Sequence, residues 1–235
     1  MRRFCFCAIG LLLLIVTMGM PARAAEPAPA ARIIVLVRHG HYAPDPSADA
    51  RLGPGLTPLG IAQAKLAAAR LAGLPERFDQ VWVSPLRRAR ETASVIASDL
   101  DAPAAVVAAA LEECTPPSWR EAELPDEPAE VRDACAKRLD QWFAERFQPA
   151  AGATRRELMV CHGNVIRYLI TKALRVDSKA WLEMSVGHVS LTTIRIEADG
   201  RLKLIAAGDV GHVPPGLSTG ASGDPERSLS LSGEG

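Results

Sequence analysis

Val35-Leu36-Val37-Arg38-His39-Gly40-His41 is an apolar run that ends abruptly in a guanidinium and two imidazoles. From Ile33 to Val37 the residues are apolar and mostly β-branched, with no polar alternation. That is the pattern of a strand covered on both faces inside an α/β domain. In open α/β sheets the chemistry sits just beyond the carboxyl ends of the strands, and Arg38 and His39 fall at such an end. Gly40 lets the chain turn there without a Cβ penalty.

The remaining elements matter for what they bring beside this tip. After a loop rich in Pro, Asp and Gly, Thr57-Pro58 opens a helix with an N-cap hydroxyl and an N1 proline, and the helix stops at Gly73. Residues 78–83 read as the second strand. At its end Ser84-Pro85 repeats the cap-and-proline start and places Arg87, Arg88 and Arg90 in or near a first helical turn. Residues 103–111, with adjacent Val106 and Val107, read as a strand ending at Glu112-Glu113-Cys114. Residues 115–128 hold Pro116, Pro117, Pro125 and Pro128 and read as an irregular flap over the site.

Residues 130–147 read as an amphipathic helix with Val131, Cys135, Leu139, Trp142 and Phe143 on one stripe. An apolar strand over 158–161 then ends in His162-Gly163-Asn164, followed by a helix over 165–174 and a short helical piece at 180–184. Residues 189–197 and 201–206 pair through Asp199-Gly200 as a hairpin at the sheet edge.

The chain has 235 residues, 48% of them hydrophobic, which suits one well-packed domain rather than two. Arg2 and Arg3, the apolar run 4–20 and the Ala22-x-Ala24 pattern predict a secretory signal peptide over 1–24. Its competitor is an uncleaved anchor, the one way this chain would meet a membrane, since a run of 17 residues lies at the lower limit for spanning a bilayer. The expected location is therefore periplasmic or secreted, with a Pro/Ala spacer at 25–31, a domain at 32–215 and a disordered Gly/Ser/charged tail at 216–235.

Basic and acidic residues balance at 27 each, and without residues 1–24 the balance turns mildly acidic. Such a domain is unsuited to nucleic acid. Cys5 and Cys7 lie in the predicted signal, leaving Cys114, Cys135 and Cys161, an odd number that forms no complete disulfide framework. Cys161 reads as a small core residue, and Cys114 with Cys135 is a pair the sequence permits without requiring.

Four strands thus end in Arg38-His39, in Ser84 with Arg88 one turn on, in Glu112-Glu113 and in His162. Two arginines, two histidines and a carboxylate at one sheet edge suit a tetrahedral dianion, because guanidinium forks hold phosphoryl oxygens and a helix start adds a positive dipole end. One imidazole can act as nucleophile and the carboxyl as proton donor to the leaving oxygen. His41 and His188 read as loop residues lining the mouth, and His212 has no argued role.

Arg38-His39-Gly40, Ser84-Pro85-Leu86-Arg87-Arg88-Ala89-x-x-Thr92, Glu113 and His162-Gly163 resemble the histidine phosphatase superfamily, the phosphoglycerate mutase-like fold, over residues 32–215. Within it, Cys161-His162-x-Asn164-Val165-Ile166-Arg167-Tyr168, Ala180-Trp181-Leu182, Gly208-Asp209-x-Gly211 and Pro214-Pro215 resemble a branch of serine/threonine protein phosphatases. The resemblance implies a three-layer α/β/α sandwich with a mostly parallel central sheet. It further implies a nucleophile at His39, phosphate ligands at Arg38, Arg88 and His162, a general acid at Glu113, and neither cofactor nor metal.

The expectation is a metal-independent phosphomonoesterase acting through a phosphohistidine on a phosphorylated protein, or on a small phosphomonoester such as an envelope sugar phosphate. Two readings compete with it. One is a zinc hydrolase using His39, His41 and His162, against which Arg38 and Arg88 argue by charge. The other is a phosphate-binding scaffold without turnover.

Overall fold

The computed structural model describes residues 27–74 and 77–220. The signal-peptide expectation, the first residues of the spacer and most of the expected tail lie outside the described residues. The described chain runs β1 (Pro29–Ala30), β2 (Arg32–Arg38), α1 (Pro58–Ala72), β3 (Gln80–Val83), α2 (Arg87–Asp99), β4 (Val106–Val107), α3 (Ala129–Arg146), β5 (Ala150–Ala151), β6 (Arg155–Cys161), α4 (Gly163–Leu174), β7 (Leu191–Ile196) and β8 (Leu202–Asp209).

One six-stranded sheet carries the order β4-β3-β6-β2-β7-β8. Its first four strands are parallel, while β7 and β8 are antiparallel additions on the far side of β2. Alternation along β2 explains the three layers. Ile34 and Leu36 face one way, onto Leu139 and Trp142 of α3 and Val165, Ile166 and Leu169 of α4. Val35 and Val37 face the other, onto Ala67, Ala68 and Leu71 of α1 and Ala89, Ala93 and Ile96 of α2. Each fully buried aliphatic of this kind contributes roughly 1.5–3 kcal/mol. The unalternating run in β2 is thus a strand sandwiched between helical layers, and Leu158–Cys161 in β6 is its neighbour for the same reason.

The register sets the site. Arg38 pairs with Cys161, and Val83 with Val160. Crossing β2, β6 and β3, the residues one step past the strand ends are therefore His39, His162 and Ser84. His39 N donates to Cys161 O at 2.9 Å, and Ser84 N to Val160 O at 3.0 Å.

Several boundaries differ from expectation. The 103–111 segment is a strand only at Val106–Val107, then turns as a 3-10 helix at Ala109–Leu111 that buries Leu111. Helix α2 starts at Arg87, not at Pro85, with Leu86 as a cap that makes no side-chain bond. The reason is local: Ser84 Oγ accepts from Leu86 N at 3.3 Å in a tight turn, so the hydroxyl is not spent on a helix end. Thr57, by contrast, does cap α1, accepting from Gly60 N at 3.2 Å.

The spacer is not featureless, since Pro29–Ala30 pair antiparallel with Ala150–Ala151. Residues 216–220, assigned to the tail, lie against the site, and Pro215–Leu217 form a 3-10 turn. The proline-rich segment docks sideways on the 3-10 turn Ser178–Glu183, with Trp181 Nε1 donating to Pro117 O at 2.9 Å and Ser118 Oγ to Lys179 O at 3.1 Å. Nothing in these contacts places it over the strand tips as a flap. Cys114 and Cys135 form a disulfide, and Cys161 is a free, buried thiol in β6.

Candidate active site

His39 is a buried polar group at the strand tips, only 2% exposed. Its Nδ1–H donates to Gly40 O at 2.8 Å, which leaves a lone pair on Nε2. Arg88 Nε donates to that Nε2 at 3.2 Å. Burial first, then His162, Arg38 and Arg88, push its pKa well down, so the ring is neutral and a competent nucleophile. Thr92 supports the turn: its hydroxyl accepts from Gly40 N at 3.0 Å and donates to Arg88 O at 2.7 Å, tying the nucleophile's loop to α2.

His162, fully buried, sits with its ring centre 5.0 Å from that of His39. Its Nε2 is 2.7 Å from Ser84 Oγ. A Ser84 hydroxyl that donates to His162 Nε2 leaves the ring's own proton on Nδ1, 3.6 Å from Glu113 Oε2. Burial followed by Arg88 and Arg38 depresses the His162 pKa as well.

Glu113 is part-buried, and burial raises its carboxyl to about 7 against the opposing pull of Arg38, Arg88 and Arg167. A carboxyl poised there can both give and take a proton near neutrality. Glu112 turns its backbone carbonyl to Arg138 Nη2 at 2.7 Å.

Arg38 donates through Nη1 to Val186 O at 2.7 Å and also to Gly220 O. Burial lowers its pKa. Arg88, 8% exposed, stacks over Tyr42 at 4.7 Å. The five residues named from the sequence, Arg38, His39, Arg88, Glu113 and His162, are therefore together. Among the described residues, four buried side-chain atoms of this group and its neighbours, Arg38 Nε, Glu113 Oε1, His162 Nδ1 and His188 Nε2, have no hydrogen-bond partner. Buried polar atoms are rarely left unpaired without a function.

His41 is not part of the nucleophile's cluster as a zinc site would need. Its Nδ1 is bonded to Thr57 Oγ1 at 2.8 Å. The ligand atoms that do converge, within 4.8 Å of one another, belong to His39, Glu113 and His162. A cation there would face two guanidiniums and would have to displace Arg88 Nε from His39 Nε2, which disfavours it electrostatically.

Two further residues join the site, Arg167, which the sequence offers only within a family-like motif, and His188, which it places only at the mouth. Arg167, buried on α4, donates to Asn164 Oδ1 at 2.6 Å, while Asn164 Nδ2 donates to Cys114 O at 3.0 Å, so the pair steadies the backbone next to Glu113. A polar pair three residues apart on an otherwise apolar helix, just after a catalytic-looking tip, was the available signal. His188 lies 5.3 Å from His39, ring to ring. No local pattern marks it; its place follows from β7 pairing with β2, where Val37 faces Leu191.

A family model described as the histidine phosphatase superfamily (branch 1) matches residues 34–207. The mitochondrial serine/threonine-protein phosphatase Pgam5 of Caenorhabditis elegans is 36% identical over 198 residues, covering 80% of this chain and 66% of its own. Human mitochondrial PGAM5 is 33% identical over 193 residues, with 80% and 66% covered. The chain thus spans just under two thirds of the length of these relatives. Phosphoglycerate mutase from Plasmodium falciparum shares the fold, with a TM-score of 0.56 at 24% identity over 79% of this chain and 95% of that one. These relatives correct the expected location: they are named mitochondrial, not periplasmic or secreted. A basic, apolar amino terminus serves several kinds of targeting and anchoring, so it did not specify the compartment.

Proposed function

Because this chain belongs to the histidine phosphatase superfamily, we propose that it is a phosphomonoesterase that works through a phosphohistidine at His39 and acts on phosphoserine or phosphothreonine in proteins. The observation that carries the reading is the ring of unpartnered buried atoms around His39, two guanidinium- or imidazole-borne N–H donors and a carboxyl oxygen at Arg38, His162 and Glu113. A phosphoryl group supplies the oxygens those donors lack.

In the first step the His39 Nε2 lone pair attacks phosphorus, the phosphorus–oxygen bond to the alcohol breaks, and the Glu113 carboxyl gives its proton to the departing oxygen. Arg88 Nε swings from Nε2 to an equatorial oxygen, which frees the lone pair and places the charge where it develops. Arg38 and His162 Nδ1 hold the other oxygens. In the second step water attacks phosphorus, the phosphorus–nitrogen bond breaks, and the Glu113 carboxylate takes the water's proton. No step asks for a metal.

Protein phosphatase rather than mutase is favoured by the names of relatives at 33–36% identity, whereas the mutase shares the fold alone. The purified full chain should hydrolyse p-nitrophenyl phosphate and phosphoserine or phosphothreonine peptides in the presence of chelator, with vanadate inhibiting. His39→Ala should remove turnover and keep the fold. Activity that requires an added metal, or that survives in His39→Ala, overturns the proposal.

A further inference from the structure

His188 stands in the loop before β7, 7% exposed, with its ring 5.3 Å from that of His39, 5.7 Å from that of His41 and 6.4 Å from that of Tyr42. The backbone presenting it is strained. Val189 has φ +53°, in the left-handed region that a β-branched residue rarely adopts. Val189 N donates to Arg38 O at 3.1 Å and to His39 O at 3.4 Å, so the nucleophile's own strand holds the strained turn in place. Strain kept up by surrounding structure gathers at functional sites.

The hydrogen bonds around the ring point to where its proton lies. His41 N donates to Gln63 Oε1 at 2.8 Å, which settles the orientation of that buried amide. Gln63 Nε2 then spends both hydrogens, on Leu217 O and on Thr219 Oγ1, each at 2.7 Å. Thr219 Oγ1 lies 2.9 Å from His188 Nδ1, and donating its hydroxyl proton there satisfies both groups. A neutral imidazole that accepts at Nδ1 carries its proton at Nε2. That Nε2 is buried and has no partner. Burial, then Arg38, His41 and Arg88, push the ring down to about 2, so it is neutral.

We propose that His188 is a phosphoryl-binding catalytic residue whose Nε2–H, oriented by the Thr219 hydroxyl and the Gln63 amide, donates to an oxygen of the group transferred to His39. The assignment rests on the phosphatase reading of the same site. A neutral donor suits the place, since it adds a hydrogen bond to the phosphoryl oxygens without a further positive charge beside Arg38 and Arg88. It also gives residues 217–220 a task, as the segment that sets the tautomer.

Two measurements on the full chain test it. In a two-bond 15N–1H correlation spectrum of the wild type, His188 should show the Nε2–H tautomer, and Thr219→Val, which removes the hydroxyl partner of Nδ1, should lower the share of that tautomer. In p-nitrophenyl phosphate hydrolysis, His188→Ala should weaken inhibition by inorganic phosphate about tenfold or more, and His188→Gln, whose amide nitrogen reaches the position of Nε2, should restore most of it. A wild-type Nδ1–H tautomer, or unchanged phosphate inhibition in an active His188→Ala protein, overturns the His188 assignment and leaves the phosphatase reading standing. A wild type that neither turns over phosphomonoesters nor binds inorganic phosphate overturns both.

Discussion

In the proposed mechanism Glu113 is the residue on which the two proton transfers meet, and its position in the pocket makes two expectations separable. A general acid matters in proportion to how badly the leaving oxygen needs a proton. Glu113→Gln should slow phosphoserine hydrolysis by roughly a hundredfold or more, and slow the first step with p-nitrophenyl phosphate much less. Glu112→Gln, at a residue that meets Arg138 through its backbone carbonyl, should be nearly silent with both substrates. Steady-state rates on the two substrates decide it, and equal losses in both variants would move the acid elsewhere.

The same carboxyl has a stability signature. Its pKa is raised by burial from 4.5 to about 7, so between those values the folded state holds more protons than the unfolded one and stability falls as pH rises. Glu113→Gln should therefore match wild type in urea unfolding at pH 4 and exceed it at pH 8, by on the order of 1–2 kcal/mol for a part-exposed group. At residue scale, Arg38, His39, Arg88 and His162 were legible because each stands within about a turn of a recognisable strand end, whereas Glu113 follows a 3-10 turn after the short β4 and was reached through an expected longer strand and the family resemblance. His188 was legible only as a loop residue lining the mouth, because it reaches His39 by an antiparallel pairing that no local spacing announces.

Between elements, the contact that fixes the nucleophile's loop is backbone on backbone. A Cβ on Gly60 would lie 2.1 Å from His41 O, and one on Gly40 would lie 2.6 Å from Gly60 O. Helix propensity alone predicts that Gly60→Ala stabilises α1 by about 0.8–1.0 kcal/mol. The contact predicts the opposite sign: thermal unfolding should occur at lower temperature and activity should fall, because α1 and the loop after His39 must separate. A stabilised, fully active Gly60→Ala would refute this packing.

The disulfide joins the loop of the acid to α3 across a separation of 21 residues. Closing a loop of that size is worth about 3 kcal/mol in the chain-entropy account, so a reductant should lower the urea midpoint of the wild type and leave that of Cys135→Ser unchanged. Equal midpoints with and without reductant in the wild type would contradict the pairing. The sequence permitted this bond without requiring it, since only the tertiary approach of α3 to the end of the acid's loop makes the pair. The start of α2 departs from its sequence signal for a related reason: a Ser-Pro step suits a helix cap, but the buried imidazole of His162 competes for the same hydroxyl.

Taken whole, the molecule is a parallel sheet whose central strands deliver their carboxyl ends to one edge, and the register places His39, His162 and Ser84 side by side. That architecture followed from apolar periodicity, since runs such as Ile34–Val37 and Leu158–Cys161 have no other way to bury both faces. The closing of the site by residues 217–220 did not follow, because a segment held by carbonyls and one threonine carries no periodic signal. All of it converges on one claim, that His39 takes the phosphoryl group. The most direct test is to quench a turning-over sample in alkaline denaturant and map the phosphate by mass spectrometry. The account predicts a base-stable, acid-labile phosphoramidate on His39 that is missing in His39→Ala and builds up when water activation is slowed in Glu113→Gln. Phosphate carried on another residue, or rapid turnover with His39 never modified, would contradict it.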